Sequence, residues 1–429
     1  MFKQLLSLAF PIAGSQCLNV ASQFICMLML ASLSPHILAA SALIFSIQIS
    51  ITVTSLSLLF ALSILVAHAY GNHNYSEIGF LLKQGWQYSF WMSIPLMILF
   101  WNIHHILLWC GQPAELTHLI KAYFHTYVWS VFPTLLAVCH QQVAYGLQQK
   151  RMIIISSLFS VIILLIASYL LLFKTTLGVA GLGIAMTIQA IFYFIITYIY
   201  FHSSGWFKKI YGSCTTLSQQ IHTIWSIGWP ISLQIGGELL SFSINTVMVG
   251  WLGIVALSAY QVVNQYCFLV IVPIFSLSQA TSILIGMQWS NKQFDKIKSI
   301  AYTSLYLVIF ITSIIAMIFI LMPNQLTLFY THHHLIPGMV AIFSIMAVGQ
   351  IIDGIRNVLL GILRGMLDVK FPMMINLIML WLVGIPFSYF FAFTLHWDVV
   401  GIIAGWLLGI FFSVVMMWYR LRLSLRGTK

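Results

Sequence analysis

Acidic residues are what this sequence has least of, with seven Asp and Glu among 429 residues beside 18 Lys and Arg. Only 6% of the chain is charged, whereas water-soluble domains run to about a quarter. A soluble globular protein is therefore excluded. The net charge of +11 comes from that shortage of acids and not from a basic patch, so nucleic acid is not an expected partner. Cysteines are few and scattered, at Cys17, Cys26, Cys110, Cys139, Cys214 and Cys267, with no CxxC pair. They supply no disulfide framework and read as packing residues. His332, His333 and His334 are consecutive and cannot all face one ion, and no nearby carboxylate or Cys completes a set, so no metal site is expected. Motifs of the HExxH, GxSxG or paired-Asp kind are missing, which argues against an enzyme.

What is present is apolar: 61% of residues are hydrophobic. Their runs are long and show no strict alternation, which excludes membrane β-strands. A bilayer core asks for about 20 apolar residues per helix. The pattern predicts twelve spans near 5–33, 37–70, 84–110, 119–146, 152–173, 179–202, 222–251, 255–289, 299–329, 336–366, 371–396 and 399–419. The first is too long for a signal-peptide core and lacks an obvious cleavage site, so it is expected to remain as a helix. Cations resist translocation. With the N-terminus inside, 15 Lys and Arg fall on the inner side and only Lys121 and Lys174 on the outer side. Both termini are therefore expected in the cytoplasm.

The two halves of the chain resemble each other at an offset of 219 residues. Ser57 to Asn72 reads SLLFALSILVAHAYGN, and Ser276 to Asn291 reads SLSQATSILIGMQWSN, with seven of sixteen positions identical. The same offset pairs Pro11 with Pro230 and Gly146 with Gly365, matches that greasiness alone does not explain. Six helices per copy place both copies the same way up, as parallel repeats. The expected fold is all-α and membrane-integral, with twelve transmembrane helices in two six-helix lobes around a central cleft. The N-lobe is 1–207, a cytoplasmic linker occupies 208–220, and the C-lobe is 221–429.

Two acids, Glu238 and Asp353, sit near the middle of apolar spans. An ionised carboxylate at that depth costs about 2.5–3.5 kcal/mol by insertion scales, so an acid retained there usually faces an internal cavity. Gln234, Glu238, Ser241 and Asn245 follow i, i+4, i+7, i+11 spacing and form one polar stripe. Gln350, Asp353, Arg356 and Asn357 share a helical face, and Tyr260, Gln261, Asn264 and Gln265 add further polar groups. These residues are expected to build an oxygen-rich site in the second lobe. Subtracting 219 maps the stripe onto Ser15, Asn19, Ser22 and Cys26, and Asp353 onto Thr134. The first lobe thus has no mid-membrane acid, and ion coupling is expected in the second alone. Asn19, Cys26, His140 and Gln141 are candidates to line an N-lobe cavity, although His140 reads equally well as a packed core histidine.

Four segments carry a family resemblance: LAFPIAGSQ from Leu8, GWPISLQIGGE ending at Glu238, ALSAYQVVNQ from Ala256, and IIDGIRNVLLGILRGMLDVKFP from Ile351. Across essentially its whole length the chain resembles the multidrug and toxic compound extrusion (MATE) transporters, in the branch of NorM-like and eukaryotic members. That resemblance implies a secondary antiporter, exporting amphipathic or cationic organic compounds against protons or Na+ by alternating access of two lobes. It assigns Glu238 and Asp353 to the coupling-ion site and implies no cofactor. Many prokaryotic members also carry a first-helix Asp, but the corresponding position here is Cys26, so coupling through that Asp is not carried over. Adaptable walls for varied drugs agree with 15% aromatic residues and 19 Met. The chain is expected to act as a monomer in the inner or plasma membrane, with small organic substrates and lipid as its partners. The alternative is a flippase for lipid-linked oligosaccharides, which needs a cationic cleft. Only Arg356 lies deep enough in the sequence pattern to serve one.

Overall fold

The computed structural model describes residues 1–31, 35–109, 111, 113–203, 205, 223–331 and 338–426. Among them there is no strand. Lipid offers no partner to a peptide group, and a helix satisfies its backbone within one segment. The first half contains α1 (Phe2–Ala31), α2 (Pro35–Ser57), α3 (Phe60–Gly71), α4 (Tyr75–Trp109), α5 (Ala114–Tyr127), α6 (Val131–Gly146), α7 (Lys150–Phe173) and α8 (Val179–Ser203). The second contains α9 (Thr223–Trp251), α10 (Ile254–Ser290), α11 (Phe294–Leu321), α12 (Pro323–Thr331), α13 (Met339–Gly365), α14 (Lys370–Thr394) and α15 (Asp398–Arg426).

Ten of the described helical segments are long and apolar enough to cross a membrane. The α5–α6 pair and α9 fall outside that set and complete the twelve. The first is interrupted by a 3₁₀ turn at Val128–Ser130, and α9 carries Gln234, Glu238 and Asn245. The outer surface suits hydrocarbon: Phe10, Trp91, Tyr306, Phe310 and Leu382 are each at least 67% exposed. Polar side chains such as Gln234, Asn376 and Ser413 are buried instead.

Three expected spans have internal breaks with local causes. The run over 37–70 turns at Leu58 and Leu59, where the amides of Leu59, Ala61 and Leu62 bond three residues back. The run over 119–146 is the α5–α6 pair. The run over 299–329 stops at Leu321, because Pro323 disfavours helix in the residue before it and is itself suited to a helix start. Met322 accordingly leaves the helix at φ −124° and ψ 33°. The linker expected over 208–220 and the histidines at 332–334 lie outside the described residues.

The duplication is visible in the backbone. His73 and Lys292, 219 residues apart, both adopt left-handed φ values, 56° and 55°, and Gln148 and Leu367 repeat the relationship at 55° and 63°. The conserved offset also explains one glycine pair. A Cβ on Gly146 would lie 2.8 Å from Ser63 O, and one on Gly365 would lie 2.6 Å from Ser282 O. Ser63 and Ser282 are themselves 219 apart, so each half uses the same glycine to bring two helices together.

The chain packs as two compact units, Pro11–Ser232 and Met1–Phe10 with Leu233–Lys429. In the first, α8 lies against α5, α6 and α7. In the second, α13 lies against α10, α11 and α15. It is the enclosed helix of that unit, with every residue from Arg356 to Gly365 buried. Polar side chains on that stretch of α13 are therefore enclosed by protein.

Candidate functional site

The stripe on α9 begins as its spacing requires. Gln234 Nε2 donates to Glu238 Oε1 at 3.0 Å, one helical turn away. Ser241 and Asn245 continue it and are buried, yet Ser241 Oγ and Asn245 Oδ1 have no hydrogen-bond partner among the described residues.

Glu238 and Asp353 are joined by the guanidinium of Arg356. Its Nη1 donates to Glu238 Oε1 at 2.7 Å and Nη2 reaches Glu238 Oε2 at 3.4 Å. Its Nε donates to Asp353 Oδ1 at 2.9 Å, and Nη2 lies 2.8 Å from that oxygen. Arg356 and Asp353 are three residues apart on α13, so helical geometry places them together. Asn357 Nδ2 then donates to Asp353 Oδ2 at 3.0 Å. Arg356 is 4% exposed at its side chain, Asp353 10% and Glu238 25%. Glu238 is thus the accessible carboxylate and Asp353 the enclosed one. Breaking such a pair by removing one partner typically costs about 3–5 kcal/mol, because the other charge is left buried and alone.

Three residues of this cluster, Asn376, Ser413 and Arg364, are not among the expected site residues. Asn376 on α14 accepts from Arg356 Nη1 at 2.9 Å through Oδ1 and donates to Glu238 Oε1 through Nδ2. Ser413 on α15 donates to the same Asn376 oxygen at 3.3 Å. Asn376 precedes a π-helical stretch, Met379–Gly384, a kind of local widening often found at functional sites. Arg364 is one of the 15 cations that the charge pattern assigns to the inner side. The structure buries it, with Nη2 donating to Gln234 Oε1 at 3.0 Å. Side chains on a helix lean toward its N-terminus, so an Arg in the last turn of α13 reaches back into the bundle. Helical periodicity would have placed Arg364 near the Arg356 face. For Asn376, set singly in the apolar run MMINLIML, the sequence offered no comparable signal.

The remaining candidates divide. Tyr260 and Asn264, one turn apart on α10, are buried, and Tyr260 stacks on Phe242 at 6.2 Å between ring centroids. Gln350 is buried on α13. Gln261 is exposed, as is Gln265. One residue along a helix is a turn of about 100°, which carries Gln261 off the face holding Tyr260 and Asn264, and its expected place beside them is corrected accordingly.

In the first unit the equivalents make a neutral network. Ser15 Oγ hydrogen-bonds Ser157 Oγ, and Gln141 Nε2 donates to Ser15 at 3.4 Å. Cys26 is buried with Sγ 3.5 Å from Ser168 Oγ. Asn19 is half-buried. His140 is enclosed by the rings of Trp86, Phe194, Tyr198 and Phe201 at 5.5–6.3 Å, with Nδ1 2.9 Å from Leu136 O. It is a packed core histidine. Thr134, the counterpart of Asp353, lines a small cavity with Thr52, Ser55 and Tyr127.

Chemically, the second unit holds one fixed cation between two carboxylates, one of them accessible. Any incoming cation must compete with Arg356 for Glu238.

Comparison with known proteins supplies a context for this site. The MatE family model matches residues 11–170 and again 230–390, the second match beginning 219 residues after the first. A probable multidrug resistance protein NorM of Synechocystis sp. is 26% identical over 97% of this chain and 93% of its own. Multidrug resistance protein MdtK of Yersinia pseudotuberculosis is 23% identical over 98% and 95%. The crystal structure of the eukaryotic MATE transporter AtDTX14 shares the fold at a TM-score of 0.89 and 19% identity, covering 99% of this chain and 97% of its own. An outward-facing MATE family transporter of the MOP superfamily shares it at 0.91 and 14%, covering 100% and 96%.

Proposed function

The chain belongs to the MatE family, and on that premise we propose that it is a secondary multidrug exporter whose coupling ion acts at Glu238 and Asp353. The family is one of transporters and not of enzymes. The observation that carries the coupling assignment is the bridge in which Arg356 touches both carboxylates.

In this reading a proton or Na+ arriving from outside neutralises Glu238, the accessible acid. The 3.4 Å contact from Arg356 Nη2 to Glu238 Oε2 is the longest of the bridge and the first to go. Arg356 then stays with Asp353 on its own helix. The tie between α9 and α13 is loosened, which gives the C-lobe two discrete arrangements with a charge-dependent balance between them. An amphipathic or cationic organic compound is released as that balance shifts, and alternating access follows from movement of the lobes. The near-absence of fixed charge elsewhere in the span interiors suits such cargo.

The cation distribution supports cytoplasmic termini and a cell-membrane location, inner or plasma according to the cell. A monomer suffices, because the proposed coupling groups all belong to one chain. Arg356 directs its donors into the site, which disfavours the flippase alternative, where a free guanidinium would be wanted for pyrophosphate. The test is expression in cells stripped of their own exporters. Raised resistance to several cationic drugs and dyes is expected, and unchanged susceptibility to all of them contradicts the proposal.

A further inference from the structure

Arg356 lies between Glu238 and Asp353, in contact with both carboxylates. A guanidinium has five N–H donors, and here four of them are in hydrogen bonds, while Nη2 also lies within ion-pair distance of Asp353 Oδ1. Nε meets Asp353 Oδ1, Nη1 meets Glu238 Oε1 and Asn376 Oδ1, and Nη2 meets Glu238 Oε2 and Asp353 Oδ1. Both oxygens of Glu238 and Asp353 Oδ1, which would ligate a hard cation, are therefore already engaged by a cation that is part of the chain, and Asp353 Oδ2 accepts from Asn357.

Charge balance points the same way. Among the described residues, the charged and titratable groups facing the two acids are Arg356 and Arg364 on α13 and the Cys267 thiol on α10. From α14 and α15 come only the neutral Asn376 and Ser413. Two guanidinium charges balance two ionised carboxylates, and no net negative charge remains to attract a metal ion. Without Arg356 the same oxygens would carry a net charge of −1 around an open space.

We propose that Arg356 is a tethered cation that bars sodium from the Glu238–Asp353 site and leaves the proton as the only coupling ion. This deepens the function proposed above and rests on it. A proton needs no coordination shell. It binds one carboxylate oxygen of Glu238, converts –COO⁻ to –COOH, and frees the Arg356 donors that oxygen had held. Sodium would have to expel the whole guanidinium from its acceptors.

The test is sodium binding to the purified full-length protein, read as a melting-temperature shift on titration with sodium chloride at ionic strength held constant with choline chloride. Wild type shows no saturable shift. Arg356→Gln gains a saturable upward shift, which is lost again in the double variant with Asp353→Asn. Arg356→Lys keeps a positive charge in place and stays silent. A saturable sodium response in wild type that Glu238→Gln removes overturns the proposal, as does a folded Arg356→Gln protein with no response. Should Arg356→Gln fail to fold, wild-type vesicles decide. Dye efflux driven by a proton gradient and not by a sodium gradient supports the proposal, and equal efflux under both overturns it. If no dye moves under any gradient, the exporter reading falls, while the sodium contrast between wild type and Arg356→Gln still decides this one.

Discussion

Asn376 faces Glu238 with both ends of its amide in use: Nδ2 donates to Glu238 Oε1, and Oδ1 accepts from Arg356 at 2.9 Å. It holds acid and base in register from a third helix. Asn376→Ala takes one of three donors from Glu238 Oε1 and leaves an Arg356 N–H without its acceptor in a buried setting, a loss of about 1–3 kcal/mol. Efflux is expected to fall several-fold, and thermal melting of the purified variant should show the destabilisation. Wild-type values for both would remove Asn376 from the site.

Gly146 and Gly365 predict a matched pair of packing defects. A methyl group at either position lies under 3 Å from a backbone carbonyl, that of Ser63 or Ser282. Neither helix can yield by turning a side chain. Gly365→Ala and Gly146→Ala should each lower stability by about 1–3 kcal/mol, measured by thermal melting in detergent. Two silent substitutions would show that these helices approach less closely.

His140 separates packing from coupling in the first unit. Its ring is enclosed by aromatic neighbours, so His140→Leu, close in volume, should cost about 1.5 kcal/mol or less. The pH dependence of efflux should match wild type. A displaced pH profile would give His140 a place in proton transfer.

Cys26 and Asn19 should likewise be dispensable for coupling. Cys26→Ser preserves a polar contact with Ser168, and Asn19→Ala alters a half-buried position with no charged neighbour in its stripe. Both variants are expected to keep at least half of wild-type efflux in vesicle assays. Abolished transport in either would place a second coupling centre in the first unit.

Much of this architecture was legible because its signals are periodic. Apolar runs marked the spans, and the 219-residue offset marked the doubling that recurs in the left-handed turns at His73 and Lys292. The stripe on α9 was legible because i, i+4 neighbours must meet, as Gln234 and Glu238 do. What escaped depends on tertiary packing. Asn376 is one amide in an apolar run, and nothing local says that α14 presents it to α9. Arg364 looked like a boundary cation because hydropathy sees where a backbone ends and not where a long side chain leans. Gln261 was grouped with its neighbours by proximity in sequence, whereas one step around a helix set it on an exposed face. The break before Pro323 was written in the sequence but hidden within a continuous apolar run.

The most direct test measures dye efflux from membrane vesicles for wild type, Glu238→Gln and Asp353→Asn, with proton and sodium gradients imposed separately. Each variant should melt as a folded protein, at a lower temperature than wild type because Arg356 loses one of its two carboxylates. Wild type is expected to expel dye when protons are supplied, and both variants to lose nearly all of that activity. Full-rate extrusion by either variant would contradict the assignment of coupling to this carboxylate pair.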